Sequence, residues 1–406
     1  MSKGRHVLIV GCGFPQLGLI RAARRLGIVT TGIDLNPGAV GAAEVDHFLH
    51  ASTGDSAAIC AAFRESKAEG IATSGSELAL TTTAHAAERL GLPFYADTET
   101  VHRCQAKDAM RACYRAAGLE VPFFESCTEI EQAFDFIERI GLPVVVKPAN
   151  GWGQRGVCRV DSREQLEYAF HKALKYSHRG GGVVLETCIS GSEVSVNGWV
   201  ENGELVSYCV TDREVFAGHD PLGVMRSEIT PSSLDAALIN KAVLVAQQGA
   251  KALGLLRGPC YSQVAVSQER AVLFETAARL GGGFDADVTR LACGVDLYAR
   301  LLGIALQDEA LESSGSAHAL KPALVRFLAP RPGFLQAIEG IERARNVAGV
   351  EDLAIYARAG DFLDPLQFAA KRIGHILVTG SSRQQAIDRA DEAERHIRLI
   401  VQGNKS

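Results

Sequence analysis

The spacing of apolar positions changes several times along the chain, and these changes divide it. Val7-Leu8-Ile9-Val10, a glycine turn, an apolar-spaced stretch from about Leu17 to Leu26 closed by Gly27, and Val29 to Ile33 read as strand, helix, strand. That order predicts a parallel βαβ unit. The alternation continues to Leu92-Pro93, giving a first domain of roughly 100 residues, and a new unit starts near Cys104. Met110, Cys113, Tyr114 and Ala117 predict a helix over Lys107 to Ala117, with Gly118 as its stop. Farther on, the period shortens. Val194 to Val200 and Glu204 to Val210, joined by Asn202-Gly203, predict a β-hairpin, and a second hairpin joins the strand around Gln263 to the strand around Glu275. Beyond Gly294 the pattern turns helical, and Ser313 to Ser316 reads as a linker or exposed loop. A last helix begins near Ser382, where Gln385 completes a capping box and Ala386, Ala390, Ala393, Ile397 and Ile400 mark the apolar face. No internal repeat is visible.

Composition narrows the classes of function. At 406 residues the chain exceeds one compact core, and 47% hydrophobic with 22% charged residues is ordinary globular usage. A net charge of -5 supplies no basic field for nucleic acid. No uninterrupted apolar run of about 18 residues exists, so no membrane partner is expected, and the N-terminal apolar run is too short for a signal peptide, which predicts a cytoplasmic location. The ten cysteines are scattered without CxxC or metal-ligand spacing and read as reduced packing residues.

Four segments carry candidate chemistry. Gly11-Cys12-Gly13-Phe14-Pro15-Gln16-Leu17-Gly18 with Asp34 nearly fits a dinucleotide turn, but Gln16 stands where the third glycine belongs, so a structural turn is the competing reading. Lys147 ends the run Val144-Val145-Val146 just before Gly151-Trp152-Gly153-Gln154-Arg155-Gly156; a strand-end lysine beside a glycine-rich loop can hold phosphate while backbone amides close over it, or can simply snorkel to solvent. Glu186, the backbone around Cys188 and Ile189, and Glu193 offer acceptors and a backbone edge for an adenine and a ribose. Glu275 ends an apolar strand, where a buried carboxylate needs a compensating cation, either magnesium shared with Gln263 or the side chain of Arg279. For Gln263 and Glu275 to face one metal, their hairpin needs an odd-numbered loop or a bulge, because side chains alternate along strands.

In this order the motifs resemble the ATP-grasp superfamily over nearly the whole chain. Lys107-Asp108-Ala109-Met110-Arg111 with Gly118 and Pro122 resembles the first nucleotide lysine and its helix, and Lys147 the second lysine. Gly151, Gly153 and Gly156 resemble the mobile loop over the triphosphate, while Glu186, Cys188, Ile189 and Glu193 match the adenine and ribose positions. Gln263 and Glu275 resemble the paired metal positions. Ala277 stands where many members have asparagine, and Glu275-Thr276-Ala277-Ala278-Arg279 with Gly281-Gly282 resembles the L-amino acid ligase branch, in which the arginine holds the substrate carboxylate or acyl phosphate. Phe368 to His375, on to Ser382, resembles that branch's small C-terminal domain.

The resemblance implies a multidomain α/β and α+β fold: an N-terminal parallel βαβ domain (1–103), a two-lobed ATP-grasp core (104–185 and 186–312) and a small C-terminal α+β subdomain (313–406). It implies ATP as co-substrate, with magnesium or alternatively manganese, small-molecule carboxylate and amine substrates, and an acyl-phosphate mechanism with Arg279 catalytic; a homodimer is an open alternative. Arg257, Arg226 and His219 are positioned in sequence to line a substrate pocket. Three rival readings stand beside this one: a carboxylating or formyl-transferring enzyme of the purine type, an NAD-dependent oxidoreductase using the N-terminal turn, and a nucleotide-binding protein that has lost catalysis through Ala277.

Overall fold

A computed structural model describes residues 4–151, 153–177, 181–217, 222–313 and 320–402. Trp152, His219 and residues 314–316, which carry expectations above, lie outside the described residues. The N-terminal strands β1 (His6–Val10), β2 (Val29–Asp34), β3 (His47–His50) and β4 (Gly70–Ala72) form a parallel sheet in the order β3-β2-β1-β4. The buried runs of β1 and β4 suit a sheet covered on both faces. In this order the chain switches direction between β1 and β4, so the loops that follow them, Gly11 to Gly13 and Thr73 to Ser76, open one crevice at the strands' carboxyl ends. The helix Glu77–Leu90 starts there, capped by Ser76.

A second sheet holds β5 (Phe124–Cys127), β6 (Val144–Pro148), β7 (Cys158–Val160) and β8 (Val183–Thr187), antiparallel in the order β5-β8-β6-β7. Val144, Val146, Val183 and Leu185 face a core shared with the helices Ile130–Ile140 and Leu166–Tyr176. Alternation then sends Val145 and Lys147 to the opposite face, and because Val145 pairs with Glu186, Lys147 and Glu186 share that face. Strand β8 runs two residues past the expected lobe boundary at 185.

The third sheet has eight antiparallel strands: β9 (Ser192–Glu201), β10 (Glu204–Val215), β11 (Met225–Thr230), β12 (Arg257–Val266), β13 (Ala271–Ala277), β14 (Ala323–Leu328), β16 (Val350–Ile355) and β18 (Gly374–Thr379). Their order is β13-β12-β9-β10-β11-β14-β18-β16. The β9–β10 hairpin turns on Asn202 and Gly203, both with positive φ, as the sequence predicts. The chain after 313 therefore does not stand apart: it adds three strands to the large sheet, while β15 (Gly333–Glu339), β17 (Phe362–Leu363) and β19 (Arg398–Gln402) make a small sheet of their own. The last helix, Arg383–His396, is capped by Ser382 and buries Ala386, Ala390 and Ala393; it stops before Ile397, and Ile400 belongs to β19 rather than to the helix face.

Candidate active site

The three sheets converge on a cavity of about 790 Å3. It is lined by Lys107, Lys147, Gly151, Gly153, Glu186, Cys188, Ile189, Glu193, Gln263, Glu275 and Arg279, which gathers nearly every residue singled out by sequence. Among the expected nucleotide, metal and catalytic residues, Gly156 is the exception. It borders a neighbouring surface groove, where an added Cβ would lie 3.0 Å from the Tyr176 ring.

On the nucleotide side, Lys107 opens the helix Lys107–Ala116 and donates to the Gly151 carbonyl at 2.6 Å, tying the glycine loop to the helix. Burial lowers the pKa of this ammonium. One turn along the same face lies a residue whose role the sequence reading did not separate from its motif. Arg111 is buried and donates from Nε and Nη2 to Glu186 Oε1 at 3.1 and 2.8 Å, while Lys147 Nζ donates to Glu186 Oε2. Both carboxylate oxygens of Glu186 are thus turned to cations, rather than being left free for an adenine amine. Burial alone would raise the pKa of Glu186, but Arg111 and Lys147 outweigh it and hold the carboxyl at about 2. For Lys147 burial dominates and brings the ammonium down to about 8, with Glu186 opposing. A signal for Arg111 existed: Lys107, Met110, Arg111 and Tyr114 follow helical spacing, so a charge occupies a core-facing position.

The hairpin β12–β13 has the bulge its chemistry requires. Four residues, 267–270, connect the strands, yet Gln263 pairs with Glu275 because Phe274 is inserted between the Gln263 and Val264 registers. The carbonyls of Leu273 and Phe274 at this irregularity accept from Arg111 Nη1. Gln263 Nε2 donates to Tyr261 Oη at 2.7 Å, which leaves Oε1 as its donor atom for a cation. Among the described residues no group of three or more His, Cys, Asp or Glu could hold a metal. One carboxylate and one amide oxygen suit magnesium, which keeps several waters and shares phosphate oxygens. These residues fit the ion that the fold implies, while Ala277 contributes no ligand atom.

Arg279 does not pair with Glu275. Its Nε donates to Glu77 Oε1 at 2.6 Å, and its Nη2 lies at the same distance from that oxygen. Glu77 comes from the N-terminal sheet's crevice, so the first domain closes one wall of the cavity. Sequence reasoning missed it; its place just after β4, at the carboxyl end of a parallel sheet, was the available signal. Two candidates for the pocket wall fall elsewhere: Arg226 pairs with Glu394 and Arg257 with Glu312, and neither lines the cavity. Arg213, Tyr261, Asp285, Tyr356 and Arg372 line it instead.

The N-terminal glycine turn is internally satisfied. Gly11 N–H donates to the Ile33 carbonyl, Cys12 N–H to Asp34 Oδ2 at 2.8 Å and Gly13 N–H to Gln16 Oε1 at 3.1 Å. The amides that would cradle a pyrophosphate are occupied, and a Cβ on Gly11 would sit 2.8 Å from the Gln16 side chain. This favours the structural reading of the turn over dinucleotide binding.

A fold of this kind, with two lysines, a glycine loop and a bulged Gln–Glu hairpin around one cavity, defines an ATP-grasp protein, and residues 140–287 match the ATP-grasp domain family. Residues 326–402 match the L-amino acid ligase C-terminal domain 2, so the chain carries an ATP-grasp domain followed by a C-terminal domain of the L-amino acid ligase type. Among relatives, the uncharacterized protein y4rH of Sinorhizobium fredii is 32% identical over 308 residues, covering 73% of this chain and 62% of that protein. Alanine–anticapsin ligase of Bacillus subtilis is 26% identical over 254 residues, covering 57% of this chain and 53% of the relative. The chain thus spans between half and two thirds of the length of these curated relatives. In fold it is similar to L-amino acid ligase from Bacillus licheniformis, with a TM-score of 0.82 at 23% identity over 99% of this chain and 100% of that one. Phosphoribosylglycinamide synthetase from Anaerococcus prevotii gives a TM-score of 0.76 at 18% identity, covering 98% and 100%. Among the described residues no helix is long and apolar enough to cross a membrane.

Proposed function

We propose that the protein is an ATP-dependent carboxylate–amine ligase, forming an amide or peptide bond between two small molecules and releasing ADP and phosphate. The observation that carries this reading is the shared cavity: Lys107 and Lys147, the magnesium-compatible pair Gln263 and Glu275, and Arg279 face one space, beside a C-terminal domain of the L-amino acid ligase type. ATP as co-substrate goes with a cytoplasmic location.

In this reading the backbone at Cys188 and Ile189 presents an edge to the adenine and Glu193 accepts from the ribose. Lys147 and Lys107 meet the triphosphate as its charge shifts, and Glu186 holds Lys147 in place from behind. Gln263 and Glu275 would hold magnesium, which supplies charge neutralisation between the phosphates when bound. Arg279, fixed by Glu77, orients the acid so that a carboxylate oxygen attacks the γ-phosphorus and ADP departs. The amine then attacks the acyl carbon and phosphate leaves. The Gly151 to Gly156 segment acts as a lid that keeps water from the acyl phosphate; Gly153 already accepts from Ala369 N–H, and Arg155 lies 4.6 Å from the Phe368 ring centroid.

The test is ADP and phosphate release across a matrix of acids and amines, with bicarbonate and formate included. Release that needs both an acid and an amine supports the ligase; release that needs bicarbonate or formate supports the purine-type alternative.

A further inference from the structure

Behind the cavity floor lies a pair of buried carboxyls that the mechanism above does not use. Glu228, on β11, is fully buried and its Oε1 accepts from Ser195 Oγ at 2.7 Å, with Arg213 Nη1 at 3.5 Å. Asp285 begins the helix Asp285–Cys293, lines the cavity, and accepts from Gly283 N–H at 3.0 Å through Oδ2. The glycine run before it is shaped around this carboxyl: a Cβ on Gly281 would fall 2.0 Å from Asp285 Oδ2. Glu228 Oε2 and Asp285 Oδ1 are both buried without a donor from the protein. The two carboxyls are near neighbours, and a proton held between them satisfies both oxygens. Burial and the Asp285 charge both push the Glu228 carboxyl toward the protonated form, against the pull of Arg213. The other titratable groups facing the pair are Tyr261, Cys209, Tyr298 and Arg372, with Glu193 acting on Arg213.

We propose that Asp285 takes the proton of the incoming amine, with Glu228 behind it as a positioning residue that donates its own proton to Asp285. The proposal rests on the ligase reading. The amine arrives as an ammonium ion, and Asp285 removes one N–H proton, which frees the nitrogen lone pair. That pair forms the C–N bond at the acyl carbon, the bond from that carbon to the phosphate oxygen breaks, and phosphate leaves with its electron pair and the second N–H proton. The pair of carboxyls ends with two protons, one of which passes to solvent.

The experiment exploits a nucleophile that needs no base. Hydroxylamine is neutral at neutral pH and converts an acyl phosphate to a hydroxamate directly. The wild type and Asp285→Asn, an isosteric change that can still accept from Gly283 N–H, are supplied with ATP, magnesium and the proteinogenic amino acids as acids. The nucleophile is either the same amino acids or hydroxylamine. Amide formation by Asp285→Asn is expected to fall by about 100-fold or more, with hydroxamate formation within a few-fold of wild type. Equal losses in both products, or no loss in either, would overturn the assignment. Glu228→Gln, which keeps a donor toward Asp285, should preserve the amide-to-hydroxamate ratio, whereas Glu228→Leu should lower it; the same ratio in both variants would remove Glu228 from the role. A wild type that makes neither product from any of these acids would instead overturn the ligase reading itself, and this proposal with it.

Discussion

Replacing Glu186 by glutamine removes the one negative charge at the centre of a nearly dry cluster. The side chains of Arg111, Glu186 and Lys147 are 1%, 5% and 13% exposed. At an effective dielectric of about 20, unit charges roughly 3 Å apart attract by about 5 kcal/mol, and desolvation of each ion takes back several kcal/mol, so the intact cluster contributes little net stability. The variant is different. Its amide nitrogen cannot accept from Lys147, and two cations stay buried without their anion, a loss of about 3–5 kcal/mol. Arg111 keeps its contacts to the Leu273 and Phe274 carbonyls, which places the expected loss near 3 kcal/mol. For a cooperative unit of about 150–250 residues this lowers the melting midpoint by about 6–12 °C. The pH dependence has a definite sign. Lys147 already has a depressed pKa of about 8, and without Glu186 it is depressed further, so the variant sheds the unfavourable proton first. The stability gap between wild type and variant should therefore narrow as pH rises toward 8. Calorimetry of both proteins without nucleotide, in mildly acidic and mildly alkaline buffers, tests this. A variant melting within about 2 °C of wild type in the acidic buffer would refute the claim that Glu186 neutralises two buried cations.

Three further outcomes follow from the same geometry. ATP affinity should be flat below about pH 8 and fall by up to tenfold per unit above it as Lys147 loses its proton, and Lys147→Arg should erase that limb; isothermal titration that stays flat for the wild type well into the alkaline range would contradict it. Glu77→Gln should raise the acid concentration needed for half-maximal ADP release by about 10- to 100-fold through loss of a charge-assisted contact to Arg279, with ATP binding unchanged. Combining Glu275→Gln with Arg279→Gln should recover no activity, and Glu275→Gln alone should raise the magnesium requirement about tenfold or more; recovery in the double variant would restore the pairing that the structure replaces with Glu77–Arg279.

How much of this was legible in the chain depends on the range of the interaction. The βαβ start, the Asn202-Gly203 hairpin and the Ser382 cap of the last helix rest on local pattern and turn chemistry, and they fold as read, whereas the end of that helix does not. The requirement for a bulge between Gln263 and Glu275 was also local, since a four-residue loop cannot otherwise bring both to one face. What escaped was partnership across the fold. Glu77 and Arg279 are 202 positions apart, and Arg111 and Glu186 are 75 apart, so no periodicity could join them. Arg226 and Arg257 were misplaced for the same reason: their acids, Glu394 and Glu312, lie in distant segments. Strands β14 and β18 lie inside the large sheet although they come from sequence that reads as a separate unit, a pairing between distant segments that no local pattern announces.

The central claim, that an acid is activated as an acyl phosphate, is tested most directly by following oxygen. An acid that supports ADP release is labelled with heavy oxygen in its carboxylate and turned over with ATP and an amine, and the phosphate is analysed by mass spectrometry. Attack of the carboxylate on the γ-phosphorus predicts that each phosphate released carries one labelled oxygen from the acid, and that the amide keeps the other. Unlabelled phosphate formed alongside ADP and amide would contradict the account.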